Sequence, residues 1–485
     1  MNNDNRTGQA AAGGNIFEAN NVAVTPAPQA GTPAPLDNAA KQEILKKNGK
    51  KVSFNFKPIL ILFGILLVLV VTVVLIKGIA GSVSSKEVKI TWWSLDEDAD
   101  AVKPLIDEYK KNNPNVTIDF VKQSSQDYRE RLSNSITKGQ GPDIFEFHNS
   151  WVPMFSNELS STSDDLSQVF YPTAVSSLKT KNGFVGIPLE YDGIALFVNN
   201  DIFRSFGKSA PKTWDDLRSM AQQFTLRDAS GGINQAGVAL GVTSNVDYWQ
   251  DILALLALQN GADLTNPVDA AAKSTFTFFA NFSKQDRVWD DTLPNSTTYF
   301  ANGKLAMYFG TYKDVFKIKK QNPNLSFGVV PLPQLPRDNN NFQSVSYANY
   351  WVNGVWNKGT HTKEAWDFLK FMSSKSTLEE LYKNEIKARG YGNIYPRVDM
   401  QSQLLSDPVA GPFAYQATFA SSWYLNANTF DGANGINTLV AKYYSDAITA
   451  ANSQGNLDQA LQATSTGIRQ VLSTYGLVAA PLPTK

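Results

Sequence analysis

A run of nineteen residues without a charge, Pro58 to Ile76 (PILILFGILLVLVVTVVLI), constrains this chain more than any other feature. Coiled as a helix it spans about 28 Å, close to the ~30 Å hydrocarbon core of a bilayer. A backbone in lipid must satisfy its own polar groups, so the run is expected as a transmembrane helix. Lys41, Lys46, Lys47, Lys50, Lys51 and Lys57 precede it, whereas Lys77, Lys86 and Lys89, with Glu87, follow. That bias predicts a cytoplasmic N-terminus and an outer domain beyond about residue 80. A cleaved signal peptide is the rival reading. Its apolar region is usually shorter, and its charged region has no long leader ahead of it, although Ala80, Gly81 and Ser82 leave a cleavage site open.

Residues 1–57 include GQAAAGGN and TPAPQAGTPAP, without apolar periodicity. They cannot bury enough surface to offset the entropy of ordering and read as a disordered cytoplasmic tail. The membrane segment is placed at 58–80 and a polar linker at 81–87. Residues 88–485 remain for the outer domain.

Composition excludes several chemistries. There is no cysteine, hence no disulfide, thiolate metal site or lipidated-cysteine anchor. The two histidines, His148 and His361, leave little material for a His-rich metal centre or a Ser/His/Asp triad. Lys+Arg and Asp+Glu are both 44, so no basic excess exists to neutralise nucleic-acid phosphates. No cofactor is expected.

From Val88 the pattern alternates. VKITWWS reads as a strand, and ADAVKPLIDEYKKNNP as an amphipathic helix with Val102, Leu105, Ile106 and Tyr109 on one face. VTIDFVKQ, SQDYRERLSNSITKG and DIFEFHN continue as strand, helix, strand. This β-α-β-α-β order predicts a parallel sheet with right-handed crossovers. Ligands in such sheets sit beyond the carboxyl ends of the strands. That singles out the loops Ser94–Asp98, Gln123–Gln126 and Phe147–Trp151. Further on, GFVGIPLE and GIALFVNNDIF read as paired strands. Thr213 reads as the cap of the helix TWDDLRSMAQQF, and Asn260-Gly261 as the end of an apolar helix. KLAMYFGTY and LSFGVVPLP read as strands. HTKEAWDFLKFMSS, the stretch from Ile436 to Ala450 and LDQALQATSTGIRQVLSTY read as helices.

In order along the chain, ITWWS, GQGPDIFEFHNSWVPMF, GIPLEYDGIALFVNNDIF, TWDDL, NGKLAMYFGTY, GVVPLP, EAWDFLKFMSSKSTLEELY and YGNIYPRVD resemble the extracellular solute-binding proteins of family 1. These are the sugar-binding components of ABC importers. The resemblance spans about residues 88 to 475. Members usually carry a cleaved signal or a lipidated cysteine, so the apolar run changes the anchor. The resemblance implies an α/β, two-lobed periplasmic-binding-protein-like fold (type II) preceded by one transmembrane helix. Lobe one is expected at about 88–192 and 349–405, and lobe two at about 196–345 and 406–485. Hinges are expected near Tyr191–Ala195 and Val345–Tyr350, with closure around the ligand.

Sugars present flat apolar faces and a rim of hydroxyls, so their sites pair aromatic platforms with carboxylates and amides. Trp92 and Trp93 end the first strand, and strand alternation sends only one of them to the cleft; Trp93 is favoured. Ser94, Asp96 and Glu97 sit where the family contacts ligand hydroxyls. The D-x-D-x-D spacing of Asp96, Asp98 and Asp100 hints at a calcium loop. Ala101 and Asp107 depart from that pattern, and capping of the following helix is the plainer reading. Phe147, Asn149 and Trp151 match the family's ligand loop, Asp192 its acidic contact, and Tyr312 its stacking aromatic. Trp249, Tyr391 and Trp423 complete the candidate set, and no metal ligands are expected.

A capture module of an ABC importer, with permease subunits and a mono- or oligosaccharide as partners, is the favoured function. A surface sensor or adhesin on the same fold is the alternative. A glycosidase would need a fixed carboxylate pair ~5–9 Å apart, and nothing in the sequence fixes one.

Overall fold

The structure, a computed structural model, describes residues 65–69, 71–72, 87–335, 344–423, 427–453 and 455–477. The chain divides into two compact units, Met1–Ser84 and Ser85–Lys485. In the first, residues 65–69 and 71–72 are helical, and Ile65, Leu66, Leu67, Val68, Leu69 and Val71 are exposed. The rest of the expected membrane helix and the tail at 1–57 lie outside the described residues. Among the described residues no helix is long and apolar enough to cross a membrane.

The second unit is built on two sheets. One has four strands in the order Trp351–Val355, Ile144–His148, Val88–Ser94 and Val116–Lys122. Val88–Ser94 runs parallel to both of its neighbours, as the β-α-β-α-β order predicts. Trp351–Val355 closes the edge antiparallel, with Trp351 opposite His148. The helix Ala99–Asn112 buries Val102, Leu105 and Tyr109 against this lobe. Trp92 is fully buried, donates from Nε1 to Asn353 Oδ1 at 2.8 Å and meets Phe120 edge-on at 4.9 Å. A side chain of this kind contributes about 1.5–3 kcal/mol by burial.

The other sheet has five strands in the order Phe327–Val330, Ile194–Asn199, Leu305–Thr311, Ile233–Val238 and Leu226–Arg227. Thr213 caps the helix Trp214–Phe224 through a reciprocal pair with Asp216. The helix Trp249–Asn260 ends at Gly261, whose φ of 71° suits glycine. The helices Ile436–Asn452 and Leu457–Thr474 pack on Ala270–Lys284 in this lobe, whereas Lys375–Arg389 packs on Ala99–Asn112 in the other.

Two expectations change. Gly183–Phe184 pairs with Lys179–Thr180 rather than with Ile194–Asn199, whose own partners are Leu305–Thr311 and Phe327–Val330. Asp98 stands at the start of Ala99–Asn112 without a side-chain cap bond, because its carboxylate turns to Lys122 Nζ at 3.3 Å.

The expected hinge segments run side by side. Gly193 and Ala348 form an antiparallel bridge, and Asn349 N–H donates to Asp192 O at 3.0 Å. A Cβ on Gly193 would stand 2.4 Å from Tyr347 O, so only glycine permits this approach.

Candidate functional site

The first strand delivers Ser94, Asp96 and Glu97 to its carboxyl end, beside Glu146 on the neighbouring strand. Glu146 Oε2 accepts from Ser94 Oγ at 2.8 Å, from Leu95 N at 2.5 Å and from Asp96 N at 3.1 Å, which fixes the loop. From the opposite lobe, the helix Tyr312–Gln321 points Lys313 at the same place. Lys313 Nζ lies 2.7 Å from Asp96 Oδ1 and 2.7 Å from Glu190 Oε2. Arg389 Nη1 reaches Asp96 Oδ2 at 3.3 Å, and its Nη2 reaches Glu385 Oε1 at 2.8 Å. Asn393 Nδ2 bridges Asp96 Oδ2 and Glu385 Oε1, each at 3.0 Å.

Burial opposes ionisation of every acid here, and the partners decide the result. For Asp96 the ammonium of Lys313 and the guanidinium of Arg389 outweigh burial and hold the carboxyl well below its ordinary value. Burial, reinforced by Glu385, Asp96 and Glu146, pushes Glu97 well above. Glu190 rises through burial and Asp96, although Lys313 opposes. Burial lifts Asp192 to about 7 against the pull of Lys313 and the amides of Gly193 and Tyr312. Glu385 also rises to about 7 by burial, with Arg389 opposing.

Aromatic rings border this network. Phe316 of one lobe stacks on Tyr391 of the other with centroids 3.8 Å apart and planes at 9°. Arg389 covers Tyr391 at 4.7 Å. Both rings line a cavity of about 270 Å³ with Tyr312 and Tyr382. A second cavity of about 300 Å³ is lined by Asn149, Ser150, Ser422 and Trp423.

Beside the hinge runs a separate polar chain. His148 Nδ1 pairs with Ser150 Oγ at 2.7 Å, and its Nε2 meets Asn349 Oδ1. Asn349 Nδ2 donates to Asp251 at 3.0 and 3.1 Å, and Asp251 Oδ1 accepts Asn428 N–H at 2.8 Å. Burial lowers His148 to about 4 and raises Asp251 to about 7.

The structure thus brings Ser94, Asp96, Glu97, Asp192, Tyr312 and Tyr391 of the expected set to one region between the sheets. Trp93 is half-buried while Trp92 turns into the core, as strand alternation predicts. Asn149 and Trp423 meet at the second cavity. Trp249 is buried at the start of the helix that carries Asp251. Phe147 and Trp151, expected at the ligand, are core rings: Phe147 packs on Phe145, and Trp151 lies among Tyr128, Phe155 and Trp351. The carboxylates that converge are Asp96, Glu97 and Glu385, whose oxygens lie within 4.8 Å of one another, and not the Asp96–Asp98–Asp100 spacing.

Lys313, Glu146, Glu190, Glu385, Arg389, Asn393 and Phe316 were not singled out by sequence. Glu146 and Glu190 did carry a signal, the one as an acid in the middle of the apolar strand Ile144–His148 and the other two residues before Asp192. The rest enter from distant helices and loops.

A two-lobed α/β unit with a polar and aromatic region between its sheets is the architecture of a protein that closes on a solute. Residues 104–411 match the family described as bacterial extracellular solute-binding protein, and the chain belongs to it. The maltotriose-binding protein of Pyrococcus abyssi is 23% identical over 333 residues, covering 66% of this chain and 69% of that one. Among solved structures, a cyclo/maltodextrin-binding protein complexed with maltotetraose matches with a TM-score of 0.65 and 17% identity, over 81% of this chain and 99% of that one. A sugar-binding protein of Xanthomonas citri matches at 0.63 and 18%, over 80% and 98%. These relatives are solute-binding proteins and not enzymes, and the chain is a binder.

Proposed function

We propose that this chain captures an oligosaccharide between its lobes and passes it to the permease of an ABC importer. Residues 58–76 would anchor it as a single transmembrane helix, N-terminus inside and binding domain outside. The observation that carries the reading is the meeting of opposed lobes at one place. Phe316 and Tyr391 offer flat rings from either side, next to the carboxyls of Asp96, Glu97 and Glu190. Rings take the apolar face of a pyranose, and buried acceptors take its hydroxyls. The relatives named for maltotriose and maltodextrin support a glucan-like ligand.

Capture needs no bond-making group. Opening would separate Phe316 from Tyr391 and Lys313 from Asp96, and a ligand would enter between them before closure by hinge motion. The test is a thermal-shift screen of the full-length chain against mono- and oligosaccharides. A ligand at 100 times its Kd should add about 2.7 kcal/mol to stability. A flat response across all saccharides would sink the proposal. Protease protection of the N-terminal tail in sealed vesicles tests the anchor and its orientation.

A further inference from the structure

Buried polar atoms without partners mark where a fold awaits a group from outside the chain. Around Asp96 there are Glu97 Oε2, Glu190 Oε1 and Asn393 Oδ1. Their residues are only 2%, 3% and 5% exposed. Glu97 itself belongs to a cluster with Asp96 and Glu385 in which one carboxyl oxygen of each lies within 4.8 Å of the others.

Burial holds Glu97 and Glu190 towards their protonated forms in the ligand-free fold; a cation set between them reverses that balance, and the ionised oxygens, like the amide oxygen of Asn393, then only accept. The donors nearby are already engaged. Lys313 serves Asp96 and Glu190, and Arg389 serves Asp96, Glu385 and Tyr391 O. A hydroxyl brings one donor and two acceptor lone pairs, whereas an ammonium brings three donors and no acceptor. Charge points the same way, because five neighbouring carboxyls, those of Asp96, Glu97, Glu146, Glu190 and Glu385, have only Lys313 and Arg389 beside them, and a further cation would favour ionisation of those that burial holds protonated. The network also displays its own example: the ammonium of Lys313 reaches in from the opposite lobe and sits 2.7 Å from the carboxyls of Asp96 and Glu190.

We infer that, when the lobes open, the carboxyl cluster of Asp96, Glu97 and Glu385 receives a protonated amine carried by the captured saccharide, making the ligand class an amino-sugar oligosaccharide. This deepens the saccharide-capture reading and rests on it. A calcium ion fits less well, because it needs about 6–8 oxygens, whereas an ammonium has three donors to place.

The test is calorimetric titration of the full-length chain, purified in detergent, at a pH well below that of the free amine's pKa. Glucosamine di- and trisaccharides are each compared with their N-acetylated forms, and with maltotriose and CaCl2 alone. Within a pair the linkage is constant, and a charged ammonium is exchanged for a neutral, bulkier acetamide; the saccharide without nitrogen, maltotriose, controls for the added bulk. The free amine is expected to bind about tenfold or more tightly than its N-acetylated form, a ratio typical of one charge-assisted hydrogen-bond cluster. Glu97→Gln should bring that ratio towards one. The wild-type ratio needs no variant, so a misfolded mutant leaves the test intact. A ratio of one or below with maltotriose bound overturns the amine and leaves saccharide capture standing. No saccharide binding removes both. Stabilisation by CaCl2 alone that Glu97→Gln abolishes overturns the amine by giving the cluster to a metal.

Discussion

Two buried polar networks cross between the lobes, and they differ in one respect. At the hinge, His148, Asn349 and Asp251 each have partners for their side-chain donors and acceptors. In the cleft, Lys313 and Asp96 are paired, but Glu97, Glu190 and Asn393 keep oxygens without partners. A satisfied network rigidifies what it joins, and an unsatisfied one is stable only if something else completes it. The hinge chain therefore reads as structure, and the cleft as a receptor.

The sharpest way to break this contrast is Lys313→Met. It removes the cation shared by Asp96 and Glu190, all three side chains being less than a fifth exposed. Loss of one partner from such a pair costs about 3–5 kcal/mol. Urea denaturation of the ligand-free chain should show this loss, and an unchanged midpoint would mean that the lobes do not share this ion pair in solution.

Next comes pH. Asp251 keeps its proton up to about 7 in the fold, against 3.8 as the ordinary value. Between those values the folded state binds more protons than the unfolded one, so stability falls as pH rises from about 4 to about 7 and is level above. The contribution is on the order of 2–4 kcal/mol. Melting temperature measured across that window should decline more in the wild type than in Asp251→Asn. Parallel curves would remove Asp251 from the account. Glu385 and Asp192 share the same direction and His148 has the opposite one, which is why the difference curve is the quantity to read.

Asn349→Ala is expected to cost about 1–3 kcal/mol, since it removes the partner of His148 Nε2 and one of the two partners of Asp251 together. Its effect should fall on stability, with any surviving ligand affinity unchanged in rank order among sugars. The smallest effect belongs to Phe316→Ala. It removes one face of the stack on Tyr391, worth about 0.5–1.5 kcal/mol. Saccharide affinity should weaken several-fold while the melting temperature of the ligand-free chain moves little. A larger loss of stability than of affinity would make the ring a packing residue.

What the sequence by itself determined is local and periodic. Alternation in VKITWWS placed Trp92 inward and Trp93 outward, and Thr213 and Gly261 bounded their helices, because caps and strand faces depend on near neighbours. The parallel order of the first three strands was legible for the same reason. The apolar run at 58–76 was legible as composition alone. Tertiary structure decided the partners. Lys313 and Asp96 are 217 residues apart, and Asn393 and Asp96 are 297 apart. No spacing rule links such positions, since their meeting depends on how two lobes close. Whether a ring lines a cleft or fills a core is equally a matter of packing. Phe147 and Phe316 look alike in sequence, yet one lies inside lobe one and the other faces Tyr391 across the gap.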